Sequence, residues 1–191
     1  LFAQALCGRD LRIYDLPDSL ESAQTMVRAT VSDDGRSIGL PSLIRRHPTY
    51  EENVRLYMVM AAHEAGHLEF GTFDLPLSRL QDLADEVTQR HGRKPSLEAH
   101  TLGDLFARYP QPGLMRDLWA LVEDARVEYL MRQEYPGLSR DLAVIAKDAV
   151  QVRSLAHGMT VRELVVDQLL LLSTTEPGSL PIPDAVKKEV G

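Results

Sequence analysis

Apolar and polar residues alternate along Leu11-Arg12-Ile13-Tyr14-Asp15-Leu16, which is the two-residue period of a strand. A second β signal follows. Ala29-Thr30-Val31 and Arg36-Ser37-Ile38-Gly39-Leu40 flank Ser32-Asp33-Asp34-Gly35. Asp-Gly between two β-prone runs is hairpin turn chemistry. Pro41 closes the second run, and Leu1 to Cys7 reads as a short helix.

After His47 the pattern becomes helical. Thr49 is placed as an N-cap with Glu52 three residues on, a capping box. The helix it opens runs through Met58, Ala61, Ala62 and His63-Glu64-Ala65-Gly66-His67, and Gly71 is its natural stop. Further helices are expected over Ser78–Arg90, stopped by Gly92, and over Leu97–Arg108, stopped by Pro110. Two more cover Leu114–Tyr135, halted by Pro136-Gly137, and Leu138–Leu155. Thr160 and Glu163 form a second capping box for a last helix to about Leu172. The fold class is therefore mainly α (α+β), with a small N-terminal sheet. Residues 1–173 are expected as one domain and 174–191 as a Pro/Gly-rich tail or linker.

Composition narrows the function classes. The 191 residues are 44% apolar and 26% charged, enough for a core with an ordinary surface. A net charge of −7 argues against a nucleic-acid-binding face. The single cysteine, Cys7, leaves no internal disulfide framework and fits a reducing, cytoplasmic setting. The longest apolar run, Leu169 to Leu172, is far too short to span a bilayer. The start has neither the basic stretch nor the apolar run of a signal peptide. A beginning without Met and an end at Gly191 suggest a piece cut from a longer protein.

The candidate chemistry lies in HEAGH. Residues four apart share a helix face, so His63 and His67 stand one turn apart and can bind one metal ion. Glu64, offset by one position, reaches the edge of that ion and can take a proton from a metal-bound water. The small residues Ala61, Ala62, Ala65 and Gly66 permit close helix packing, and buried histidines want partners.

A catalytic zinc needs a third protein ligand. The long helix carries Glu123-Asp124-Ala125-Arg126-Val127-Glu128, which sets three acids among apolar neighbours. Burying unpaired acids is costly, and a metal removes that cost. Asp124 and Glu128 share a face, as a ligand and its supporting partner would. Glu123 points about 100° away from Asp124 by helical geometry, but glutamate has the longer reach. All three stay open as the third ligand, and Arg126 is a candidate partner for Glu123. A third histidine soon after His67 is ruled out by Leu68-Glu69-Phe70-Gly71-Thr72-Phe73; His91 and His100 lie too far along.

Other residues have simpler readings. Cys7 reads as a small core residue, His47 as a loop residue, and His157 as helix-terminal. Tyr57 and Tyr129 read as core aromatics with a hydroxyl at the rim. Arg45-Arg46 is too short a basic run to mean nucleic acid. The Arg36–Leu40 strand, with Ile38, comes just before the HEAGH helix, where gluzincin-type sites, which this arrangement resembles, carry an edge strand that can pair with a peptide; a purely structural edge is equally compatible.

HEAGH followed by an acid on a later helix resembles the gluzincin metallopeptidases. The resemblance implies a helical zincin-like domain whose HExxH helix packs on the acidic helix, Zn²⁺ as cofactor, Glu64 as base and a peptide substrate. In order, LFAQALCGRDLRI, DDGRSIGLP, HEAGHLEFGTF and LVEDARVEYLMRQEYPGL also resemble proteins of the NorD/CbbO type, in the region before their von Willebrand A domain. That likeness covers most of residues 1–140. The von Willebrand domain's D-x-S-x-S loop is absent from this sequence, and the last fifty residues carry no matching motif. It implies partnership with a MoxR-type AAA+ ATPase in activating a target metalloenzyme, with zinc in a non-catalytic interaction module as the alternative to a peptidase.

Overall fold

The computed structural model describes residues 2–16, 30–31, 35–91 and 101–153. The turn residues Ser32–Asp34, the helix expected from Thr160, the tail from Thr174, His100 and His157 lie outside the described residues. The chain divides into two compact units. One comprises Leu1–Phe73 with Asp124–Gly191, and the other Asp74–Glu123.

The first unit begins with helix α1, Phe2–Cys7, and strand β1, Arg12–Leu16. Strands β2, Thr30–Val31, and β3, Ser37–Pro41, follow. β2 and β3 pair antiparallel, with Thr30 opposite Gly39 and Val31 opposite Ile38, as the Asp-Gly signal anticipates. β1 lies along the other side of β3 in parallel, with Arg12 opposite Ser37 and Leu16 opposite Pro41. The strand order is therefore β1-β3-β2. This corrects the expectation of an edge at Arg36–Leu40: β3 is the central strand and both its sides are paired. Gly39 lies under the side chains of Leu16 and Tyr14 of β1. A Cβ there would sit 2.8 Å from both Leu16 Cδ2 and Tyr14 Cζ, so a larger residue would displace those side chains.

Helix α2, Tyr50–Glu69, starts where its cap dictates. The Glu52 amide donates to Thr49 Oγ1, and the Thr49 amide donates to Glu52 Oε2. Such a cap contributes about 1 kcal/mol. Asn53 ties down the approach: its Oδ1 accepts from the amides of Arg46 and His47, and its Nδ2 donates to the carbonyls of His47 and Thr49.

α2 buries two of its faces. Ala61, Ala65 and Leu68 pack with Ile38 and Leu40 of β3, Ala3 of α1, and Leu11. Val59 and Ala62 pack with Val127 and Met131 of helix α5, Pro112–Glu134, and with Leu142 of α6, Pro136–Arg153. Apolar burial of this kind stabilises by about 25 cal/mol per Å². By helical geometry His63 and His67 point between these two faces, and Glu64 lies on their sheet side. α5 and α6 each begin on a proline, which is tolerated in a first turn because its missing N–H would be unpaired there anyway.

The second unit contains a 3-10 turn, Leu77–Leu80, then α3, Gln81–Arg90, α4, Leu102–Phe106, and the first part of α5. α4 is shorter than the expected Leu97–Arg108 because Thr101 caps it: Thr101 Oγ1 accepts from the Asp104 amide while Asp104 answers the Thr101 amide. Arg108, buried, donates to Asp85 at 3.0 Å, and Phe106 lies 6.0 Å from Trp119.

Candidate metal centre

α2 supplies two imidazoles and α5 one carboxylate. His67 Nε2 lies 3.2 Å from His63 Nε2 and 3.2 Å from Asp124 Oδ1. His63 Nε2 lies 3.7 Å from the same oxygen. Three donor atoms so close together form a group able to hold a metal ion. The triangle has a testable size. Ligands at about 2.0–2.1 Å around a tetrahedral zinc stand about 3.3 Å from one another. The three separations bracket that value, so the donor set fits one face of such a shell. The fourth vertex would be left for a further ligand.

The helices meet closely enough for this because of Gly66. A Cβ at that position would lie 2.9 Å from Val127 Cγ1 and 3.0 Å from Met131 Sδ. Val127 and Met131 are buried one turn or two along from Asp124, on the same side of α5. The end of α2 is fastened as well. Arg126 donates to the carbonyl of Phe70 at 3.0 Å, and Tyr135 donates to Glu69 Oε1 at 2.5 Å.

The electrostatics follow from this crowding. Burial alone would raise Asp124, but hydrogen bonding and charge from His63 and His67 outweigh it and hold the carboxyl well below its usual range. Burial alone would lower His63; the Asp124 carboxylate, with Glu64 and Glu128, reverses that and raises it. Burial raises Glu64, with Asp124 adding to the rise and the two histidines opposing it.

Among the three acids open at the level of sequence, Asp124 joins the histidines, while Glu123 and Glu128 stand outside the group. Glu123 is the last residue of the second unit and is buried. Glu128 accepts from Arg132 at 3.4 Å and contributes its charge to His63. Arg126 donates a guanidinium N–H to the carbonyl of Phe70 at 3.0 Å. Tyr57 packs against the sheet-side core as expected, and so does Cys7. Tyr129 does not: it is 62% exposed. Ile38 is fully buried, as befits a central strand.

One site residue went unrecognised in the sequence. Thr72 Oγ1 lies 3.0 Å from His67 Nδ1, and both residues are buried. The signal for it was present. Gly71, at φ +74°, is the left-handed residue after the helix, and the Thr72 amide donates to the His67 carbonyl at 2.9 Å. This is the Schellman closure, which folds the second residue past the cap back over the last turn. In this chain the last turn contains His67.

No helix among the described residues is long and apolar enough to cross a membrane. No protein-family model, curated protein or solved structure matches this chain.

Proposed function

We propose that this chain carries a zinc centre of gluzincin type and that the centre hydrolyses peptide bonds. The observation that supports this best is the triangle of His63, His67 and Asp124, with Glu64 on the adjoining face of α2. A zinc ion held there would supply Lewis acidity toward a carbonyl and lower the pKa of water toward neutrality. The chain's own groups would do the rest. Glu64, one residue along the helix from His63, would accept the proton of the attacking water and return it to the leaving amine. Its burial raises its proton affinity, which suits a base. Asp124 brings a negative charge that offsets part of the ion's own, and Thr72 and Arg126 support the helix end from which His67 projects.

The test pairs metal content with turnover. Protein refolded or expressed with Zn²⁺ should hold about one ion, and Glu64→Gln should keep it while losing cleavage of a peptide library. A Glu64→Gln variant that cleaves as well as the parent rejects the mechanism.

A second reading has its own support. In the gluzincin pattern an edge strand beside the motif helix receives the peptide, and here the strand before α2 is paired on both sides. That favours a docking module in which the zinc is structural or vestigial. The NorD/CbbO-type likeness suggests a MoxR-type AAA+ ATPase and a target metalloenzyme as its partners, in the cytoplasm. Capture of such an ATPase that survives His63→Ala, in a protein without peptidase activity, would select this reading over the first.

A further inference from the structure

Resting on the metal-centre reading, we infer that Thr72 is a positioning residue that presets His67 for the ion. A histidine nitrogen that binds a metal must be free of its proton, so the proton must sit on the other nitrogen. In metal sites that second N–H is usually held by an acceptor, which fixes both tautomer and ring angle. His67 Nε2 faces His63 and Asp124, and His67 Nδ1 faces the Thr72 hydroxyl at 3.0 Å. With an ion in the triangle, the Nδ1 proton would go to Thr72 Oγ1, and the Nε2 lone pair would point at the ion.

Thr72 grips its histidine at two places. The backbone amide of Thr72 holds the His67 carbonyl, and its side chain holds the His67 ring. The first contact closes the helix and needs no particular side chain. The second needs a hydroxyl. The residue reaches back over the last turn only because Gly71 takes a positive φ. Thr72 is 7% exposed, so water competes poorly for the ring. A helix stop and a tautomer lock are thus built from the same two residues.

Thr72→Val removes the hydroxyl at nearly constant shape and leaves the backbone amide in place. Zinc affinity would be measured by competition with a chromophoric chelator for the parent, Thr72→Val, Thr72→Ser and His67→Ala, alongside the thermal midpoint of each zinc-free protein. Thr72→Val should bind zinc about 10–100-fold more weakly, the range for losing such a supporting contact, with the zinc-free midpoint close to that of the parent. Thr72→Ser should restore most of the affinity. Nitrogen-15 NMR of the zinc-loaded parent should show His67 bound through Nε2, with a slowly exchanging proton on Nδ1. Parent-like zinc affinity in Thr72→Val, or ligation through Nδ1 in the parent, overturns this inference and leaves the metal centre standing. Parent-like affinity in His67→Ala overturns the metal centre itself. If Thr72→Val does not fold, the NMR result on the parent decides alone.

Discussion

Gly66 of α2 faces Val127 of α5 so closely that a single added methyl would lie 2.9 Å from Val127 Cγ1. Real side chains do not approach a Cβ at that distance, so the two helices are spaced by the absence of a side chain at residue 66. Val127 is stiff at χ1 and fully buried, and it has nowhere to retreat. Met131, next to it, is more pliable.

Gly66→Ala is therefore expected to weaken the protein although alanine is the better helix former by about 1 kcal/mol. Overpacking of this kind costs about 1–3 kcal/mol. It should also carry Asp124 away from the histidines and loosen metal binding. Chemical denaturation with and without Zn²⁺ separates the two effects. A stabilised variant with unchanged zinc affinity would contradict the spacing described above.

The choice among the acids on α5 can be measured directly. Asp124→Asn should lower zinc affinity more than about 100-fold, beyond the range of a supporting contact. Glu123→Gln and Glu128→Gln should stay within about tenfold of the parent. Isothermal titration of the three variants decides it, and a Glu123→Gln variant with the larger loss would move the ligand by one residue.

Arg126 fastens the end of α2 through the Phe70 carbonyl. Arg126→Met keeps much of the stem and removes that bond, leaving a helix-terminal carbonyl to find water. A loss of about 1.5–3 kcal/mol is expected, the range for a hydrogen bond from a charged group. Zinc affinity should fall with it, because this bond ties α5 to the end of α2 that carries His67. Arg126→Lys should recover only part, since one ammonium does not reproduce the guanidinium fork.

Tyr135 gives a pH signature. Its bond to Glu69, together with desolvation and the Glu69 charge, pushes its pKa up to about 12. A raised folded-state pKa means the contact stabilises fully below the unfolded value of about 10. The contribution is then lost as pH rises from about 10 through about 12. Tyr135→Phe should thus be less stable than the parent at pH 8, and the gap should shrink over that interval. Absorbance titration of phenolate in the two proteins should place one high-pH tyrosine in the parent alone. A stability gap that stays constant to pH 12 would exclude the contact.

The helices were legible because their signals are local. Thr49 with Glu52, Gly71, and the proline breaks all act within a few residues, and they set α2, both ends of α5 and the start of α6 within a residue or two. The candidate ligands His63 and His67 were legible for the same reason. The parallel pairing of β1 with β3 was not, since it joins segments separated by the β2 stretch. It turned an expected edge into an interior strand. The third ligand was narrowed to three acids but not chosen, because reach and rotation compete until the Gly66–Val127 spacing fixes which face of α5 meets α2. Thr101 as the start of α4 was missed, although its partner Asp104 stands at the capping-box distance. Thr72 was not legible from ligand spacing, because it reaches His67 through the backbone reversal at Gly71 and not as a donor to the ion.

The donor triangle joins a local pair to a residue more than fifty positions away in the chain. In an unfolded chain the two histidines can meet an ion as soon as one helical turn forms, on the sub-microsecond scale. Asp124 arrives only when that long loop closes, at an entropic cost that grows slowly with its length. With a metal ion present, an early complex on the two histidines would be loose and exchangeable, and the final one would mature with the seating of α5. Ion retention during refolding would then serve as a clock for long-range assembly, one that no spectroscopic measure of helix content would supply.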